Sequence, residues 1–197
     1  MATPQKYLNA DPKPYRWTRE DYYKLGEMGI LTNKNVELIE GEVIEMSPIY
    51  SPHMTGVTLA DDVMREVFGK GWVVRAQGPL SLGTDSDPQP DVAVVTGKTR
   101  DFRNAHPSTA ALVIEVTVSS LDYDRKQKSS IYAKAGIKDY WIVNVQDEQL
   151  EVYRRPIADG NGEYGFIYAQ ALILKKGDVV KPLAKPKATI TVADLLP

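Results

Sequence analysis

The stretch Ala111-Leu-Val-Ile-Glu-Val-Thr-Val118 decides the fold of this chain. Its apolar, β-branched run from Leu112 to Val118 has the length and composition of a strand buried on both faces. Glu115 lies in the middle of that run, where an ionised carboxylate is costly unless a partner compensates its charge. The stretch therefore predicts a central strand and a buried polar site around Glu115.

Two further charged residues fall where a folded core is expected. Asp91 opens the apolar run Val92-Ala-Val-Val95, which predicts a second buried strand. Lys128 lies three, four and seven residues before apolar positions of a helix predicted over residues 121–136, so it shares their buried face. A divalent cation held by the two carboxylates, with the ammonium close by, accounts for all three charges.

Such a group of side chains has the equipment for metal-assisted hydrolysis of a phosphodiester. If the two strands are neighbours, Asp91 and Glu115 reach one site, where a bound cation can stabilise charge on a phosphate. The Lys128 ammonium can orient or deprotonate the attacking water. Two structural alternatives stay open, a buried ion pair between Glu115 and Lys128 and a helical pair between Asp124 and Lys128.

Composition limits the remaining possibilities. The chain has 197 residues, a net charge of -2, no cysteine and two histidines. Disulfides and thiolate metal sites are therefore excluded, and a histidine-rich metal site is not expected. We expect a cytoplasmic protein with no membrane contact, consisting of a flexible arm over residues 1–14 and a single domain over residues 15–197.

The order of predicted elements indicates a mixed α/β fold with a central sheet. A helix follows Thr18, a hairpin spans residues 36–46, and a second helix runs from Ser51 to about Phe68. Strands are expected at 72–76, 80–82, 90–95, 112–118, 139–145, 150–153, 166–169, 171–174 and 189–191. The helix at 121–136 then crosses between two strands of one sheet, and the last strands form an antiparallel tail.

The spacing of the acidic residues resembles a known nuclease motif. Pro90-Asp91 followed by Glu115-Val116-Thr117 is similar to the PD-(D/E)xK signature of the restriction endonuclease-like superfamily. Within that superfamily the chain resembles the Uma-two family over roughly residues 17–153. The matching segments are Val36-Glu-Leu-Ile-Glu-Gly-Glu42, Ser51-Pro-His53, Gln89-Pro-Asp91, Leu112-Val-Ile-Glu-Val-Thr117, Asp124-Arg-Lys-Gln-Lys128 and Tyr132-Ala-Lys-Ala-Gly-Ile-Lys-Asp-Tyr-Trp141.

The resemblance implies a restriction endonuclease-like core and a role for each matching residue. Asp91, Glu115 and the backbone carbonyl of Val116 would bind Mg²⁺ or Mn²⁺. Lys128 would assist the attacking water. Glu37 would be the upstream acidic residue, which holds a second metal or positions Lys128.

One departure and three accessory residues accompany this assignment. Thr117 stands where the superfamily motif has lysine, and the resemblance implies that the lysine has moved to Lys128 in the next helix. The helical-face argument selects Lys128 independently. His53, Thr117 and Asp124 are possible accessory residues of the site.

Two main function classes are compatible with these residues, and each gives the residues a different role. The first is a metal-dependent endonuclease that acts on DNA and forms a homodimer, by analogy with enzymes that cut both strands. The second is a member of the same fold that binds nucleic acid or protein without cutting. A phosphodiesterase for RNA or small nucleotides is a third reading. The full set of charged residues favours the enzyme, whereas the near-neutral net charge favours the binding module.

Overall fold

A computed structural model describes residues 12–197 of the chain, so the predicted arm of residues 1–14 lies largely outside the described residues. A six-stranded mixed sheet forms its centre, in the order β3-β4-β5-β6-β7-β8. Its strands are β3 (Trp72–Ala76), β4 (Val92–Thr96), β5 (Leu112–Thr117), β6 (Asp139–Asn144), β7 (Gln149–Ala158) and β8 (Phe166–Lys175). The predicted mixed α/β fold with extra antiparallel strands is confirmed.

Smaller elements surround this sheet. Two hairpin-like pairs stand outside it, β1 (Val36–Ile39) with β2 (Glu42–Glu45), and β9 (Val179–Val180) with β10 (Ile190–Thr191). The helical segments are α1 (Arg19–Glu27), α2 (Ser51–Phe68), α3 (Leu121–Tyr123), a π-helical segment (Asp124–Lys128) and α4 (Ser129–Lys134), with 3-10 turns at Thr99–Phe102 and Val192–Leu195. Across residues 12–197, no helix has both the length and the apolar character that crossing a bilayer requires.

The sheet is parallel where the predicted helix crosses it. Strands β5 and β6 run parallel, and the helical segment from α3 to α4 connects them. All the other neighbouring strands of the sheet are antiparallel. A parallel pair needs such a crossover because a tight turn cannot return the chain to the same end of the sheet.

Each face of the sheet is covered by a different apolar layer. Helix α2 packs on one face, where Met64 lies in the same buried cluster as Ile114 and Val116 of β5. On the other face Val113 packs in a cluster with Tyr132 of α4. Because side chains alternate along a strand, Glu115 lies on this second face beside Val113.

Three local predictions are wrong in detail. The helix over residues 121–136 is interrupted by the π-helical segment, a feature that concentrates at functional sites. Residues 80–82 form no strand, because the amides of Leu80 and Ser81 donate to proline carbonyls, which cannot extend a ladder, and Leu82 forms only an isolated bridge with Ser86. The two strands expected at 166–169 and 171–174 are one strand, β8, whose outer edge tolerates the polar Gln170 between them.

Gly56 in helix α2 is the point of closest approach between that helix and the sheet. A Cβ built there would lie 2.8 Å from Val116 Cγ1. Val116 is β-branched and stiff at χ1, so it cannot easily move aside. The missing side chain therefore lets α2 lie directly on β5, three residues from His53.

We expect Gly56→Ala to lower the free energy of unfolding by about 1–3 kcal/mol, the usual range for overpacking a core. Urea unfolding of the purified protein measures the change. Gly26→Ala in α1 is the matched control, because no atom lies within 4 Å of its added Cβ. That control should be neutral or stabilising by up to about 1 kcal/mol, since alanine favours helix more than glycine does. Equal stability for the two variants would contradict the close packing of α2 on β5.

Candidate active site

Four charged side chains from separate parts of the chain meet at one buried point. Glu37 comes from β1, Asp91 immediately precedes β4, Glu115 lies on β5 and Lys128 ends the π-helical segment. Each of the four residues is at most 8% exposed. The structure therefore brings together all four side chains that the sequence analysis named. Charged residues are rarely buried without partners, so each of them must be paired here.

The Lys128 ammonium lies between two of these carboxylates. Its Nζ is 2.6 Å from Glu37 Oε2 and 3.3 Å from Glu115 Oε1. The Tyr132 hydroxyl donates to the same Glu115 Oε1 at 2.7 Å. The alternative ion pair of Glu115 with Lys128 is thus present, but Lys128 also serves Glu37.

The alternative helical pair of Lys128 with Asp124 is not formed among the ion pairs of residues 12–197. The Asp124 carboxylate instead accepts a hydrogen bond from Ser120 Oγ at 2.8 Å. Ser120 Oγ also lies 3.2 Å from Thr117 Oγ1. Thr117 and Asp124 therefore belong to a hydrogen-bonded row beside the four charged residues, and the ammonium at the centre is that of Lys128.

The carboxylates of Asp91 and Glu115 form hydrogen bonds between the two neighbouring chain segments. The amide of Val116 donates to Asp91 Oδ2 at 2.8 Å, and the amide of Asp91 donates to Glu115 Oε2 at 3.1 Å. Backbone pairing between β4 and β5 ends at Val92 and Ile114, so these side-chain bonds continue the ladder past its end. The predicted convergence of Asp91 and Glu115 on one site follows from this register.

His53 reaches the site from the first turn of α2. Its Nε2 lies 3.0 Å from Asp91 Oδ1. The hydrogen bond to Asp91 raises the pKa of His53 above its ordinary value, burial opposes this, and the backbone of Val116 also favours the charged ring. His53 therefore contacts the Asp91 carboxylate and the Val116 backbone, the groups that the resemblance assigns to the metal.

Carboxyl groups outnumber ammonium groups at this site. Burial raises the pKa of Glu115 to about 8, an effect that Lys128 opposes and Asp91 reinforces. Burial opposes the charged form of Lys128 too, but the Glu115 and Glu37 carboxylates raise its pKa, so the ammonium stays protonated. One lysine thus faces several buried carboxylates, and a hard divalent cation is the ligand class that suits such an excess of carboxylate oxygen.

The donor set fits a magnesium-type ion with few protein ligands. Within residues 12–197, no three histidine, aspartate or glutamate side chains are arranged to hold a metal ion. Asp91 and Glu115 provide two carboxylates. The Asp91 carboxylate accepts a hydrogen bond from the backbone amide of Val116, and the Glu115 carboxylate accepts one from the backbone amide of Asp91. Mg²⁺ characteristically takes one or two carboxylates and keeps several waters, so two carboxylates are sufficient.

The four charged residues line one cavity of about 530 Å³. Sequence reasoning missed several features of this cavity and of the charged cluster. The Tyr132 hydroxyl was assigned only to an apolar helical face, although it lies in a segment that matches the family. The amides of Asn35 and Gln77 had no sequence signal, because each stands in a polar stretch, and only the fold brings them to the cavity.

We expect the free energy of unfolding of the metal-free protein to fall as the pH rises from about 5 to about 8. Burial raises the pKa of Glu115 from 4.5 to about 8 and that of Asp124 from 3.8 to about 6. Between these values the folded state holds protons that the unfolded state has lost, so stability decreases with pH. The raised pKa of His53 acts in the same direction.

Urea unfolding in EDTA across this pH range measures the slope. Glu115→Gln, which is uncharged at every pH, should have a shallower slope than the parent protein. Stability that increases between pH 5 and 8, or an unchanged slope in the variant, would contradict the burial argument for Glu115.

Comparison with known proteins places this chain in a family. A crystal structure of a protein described as a putative nuclease belonging to DUF820, from Anabaena variabilis, is similar with a TM-score of 0.67 and 16% identity, over 92% of this chain and 97% of that one. At that identity the likeness shows a shared fold. No curated protein matches the sequence. The profile of the Uma2 family, described as "Putative restriction endonuclease", matches residues 19–193, so the chain belongs to the Uma2 family.

Proposed function

We propose that this protein is a metal-dependent endonuclease that hydrolyses phosphodiester bonds of DNA. In this proposal Asp91 and Glu115, with the backbone carbonyl of Val116, hold Mg²⁺ or Mn²⁺, and Lys128 assists the attacking water. The observation that carries it is the charged Lys128 beside paired carboxylates at the wall of an open cavity. Membership of a family described as "Putative restriction endonuclease" supports the same activity.

The carboxylates and the lysine have different roles in this proposal. A divalent cation, when bound, supplies positive charge that stabilises a phosphate and makes a water more acidic. The Asp91 and Glu115 carboxylates are kept in place by amides of the neighbouring strand. Preorganised ligands of this kind need no rearrangement when the substrate arrives.

Lys128 acts as a hydrogen-bond donor in this scheme. Two carboxylates adjacent to its ammonium raise its pKa, so it holds its proton at neutral pH. An ammonium can orient a water and stabilise negative charge, whereas it cannot accept a proton. The contact of 2.6 Å between Lys128 and Glu37 supports the positioning role for Glu37 over a second metal site.

Cleavage of supercoiled plasmid and of single-stranded DNA, with Mg²⁺ or Mn²⁺ present, tests the proposal. We expect Glu115→Gln and Lys128→Ala each to lower the cleavage rate at least about a hundredfold, the usual contribution of a group that acts on the reacting atoms. Lys126→Ala is the control for Lys128→Ala, because Lys126 lies in the same π-helical segment and is 64% exposed. Glu66→Gln on the exposed surface of α2 is the control for Glu115→Gln.

Two results would reject the proposal. Cleavage that survives both substitutions would place the chemistry elsewhere or in a contaminant. Absence of cleavage by the parent protein, combined with no Mn²⁺ binding by calorimetry, would leave the non-cleaving binding module. Circular dichroism of each variant separates loss of activity from loss of fold, since removing one partner of a buried ion pair typically destabilises by about 3–5 kcal/mol.

Pairing of two copies is a further part of the proposal. Within residues 12–197, the outer strand β8 pairs with β7 alone, and it leaves Ile173 60% exposed. An exposed apolar edge strand favours pairing with another chain. If β8 forms the dimer contact, light scattering should show a dimer for the parent and a monomer for Ile173→Lys. A monomeric parent protein would remove dimerisation from the proposal.

A further inference from the structure

The cavity that contains the charged cluster is also lined by residues outside that cluster. Three of them have side-chain amides, namely Asn35, Gln77 and Gln89. Gln89 Nε2 donates to the carbonyl of Val36, next to Glu37. Among residues 12–197, the side-chain amides of Asn35 and Gln77 form no hydrogen bond, so their donors and acceptors are available to a ligand.

Gln77 has an unusual backbone conformation at this point. Its φ is +49°, in the left-handed region that glutamine rarely adopts. The backbone N–H of Gln77 donates to the carbonyl of Asp91 at 3.0 Å, which holds this conformation beside the charged cluster. Backbone strain of this kind clusters at ligand sites, where the surrounding structure enforces it.

Two exposed large hydrophobic residues line the same cavity. Ile49 and Tyr50 line the cavity and are 49% and 62% exposed. They lie in the segment between β2 and α2, directly before the turn that carries His53. An exposed tyrosine ring and two side-chain amides in one cavity offer both a stacking surface and hydrogen-bonding groups to a ligand.

A nucleobase has the chemistry that this combination recognises. Its faces stack on aromatic side chains, and its edge carries adjacent donors and acceptors that pair with amides. The cavity volume of about 530 Å³ lies in the range of sites that hold small molecules. In an intact duplex the base faces are stacked and the pairing edges are occupied, so a base can enter only when it is unpaired.

We propose that the amides of Gln77 and Asn35 and the ring of Tyr50 bind one unpaired nucleobase next to the scissile phosphate. The substrate is then single-stranded or locally unpaired DNA. This inference rests on the proposed nuclease function, because the base is placed by the same cavity that contains Asp91 and Glu115. Intact duplex lacks a base that is free to occupy the site.

Fluorescence anisotropy tests the inference in EDTA, where nothing is cleaved. The labelled probes are a short single strand, the same sequence as a blunt duplex, that duplex with one bulged nucleotide, and an abasic strand of equal length. We expect the single strand and the bulged duplex to bind at least about tenfold more tightly than the blunt duplex and the abasic strand, the usual effect of one stacked base. An unlabelled mononucleotide should compete much more weakly than the strand.

Variants assign this preference to the cavity. Tyr50→Ala and Gln77→Gly should weaken binding of the single strand about tenfold and leave binding of the blunt duplex unchanged. Glycine at position 77 accepts the left-handed backbone while it removes the amide. Tyr50→Phe keeps the ring and should bind nearly as the parent does. Tyr15→Ala is the control, because Tyr15 is 68% exposed and does not line the cavity.

The outcomes separate this inference from the proposed function. Equal binding of blunt duplex and single strand, no measurable binding of the single strand, or parent-like binding by Tyr50→Ala and Gln77→Gly would each overturn it. A mononucleotide that competes as well as the strand would also overturn it and identify a free nucleotide as the ligand. Cleavage that depends on Glu115 and Lys128 but acts equally on duplex keeps the nuclease and removes the base site. Base-dependent binding without any cleavage does the reverse.

Discussion

The Lys128 ammonium, buried between Glu37 and Glu115, is the interaction on which the rest of the site depends. It joins three elements that are distant in sequence, the β1–β2 hairpin, the central strand β5 and the crossover helix. The hairpin stands outside the main sheet, and the contact of Glu37 with Lys128 ties it to the crossover helix. Charges removed from water destabilise a fold unless they are paired, so the three elements must meet in this arrangement.

The Lys128 ammonium does not pair with every carboxyl group of the cluster, and the carboxyl groups left over are informative about function. One ammonium does not neutralise Glu37, Glu115 and Asp91 together, and burial raises the pKa of Glu115 accordingly. A protein optimised for stability alone would fill this position with apolar side chains. Natural chains depart from that rule mainly at sites that bind or react, which agrees with the open cavity beside these residues.

Local patterns explain why much of the fold was predictable. The cap of the helix after Thr18 and the apolar run of β5 act through neighbours in sequence, and each appears where it was expected. The π-helical segment was not predictable, because its wider turn leaves no mark on a spacing of apolar residues. The loop at residues 80–82 also differs, since its amides donate to the carbonyls of Ser86, Pro88 and Pro107 rather than to a neighbouring strand.

The sequence by itself determined that Asp91, Glu115 and Lys128 belong to one charged cluster, because a carboxylate or an ammonium within an apolar pattern has no structural purpose without a partner. Glu37 joined them only through the resemblance to the nuclease family. The tertiary structure decided which of them touch, with Lys128 placed on Glu37 as well as on Glu115. It also decided that amides and an exposed tyrosine share their cavity, because that proximity arises only when separate loops fold against one sheet.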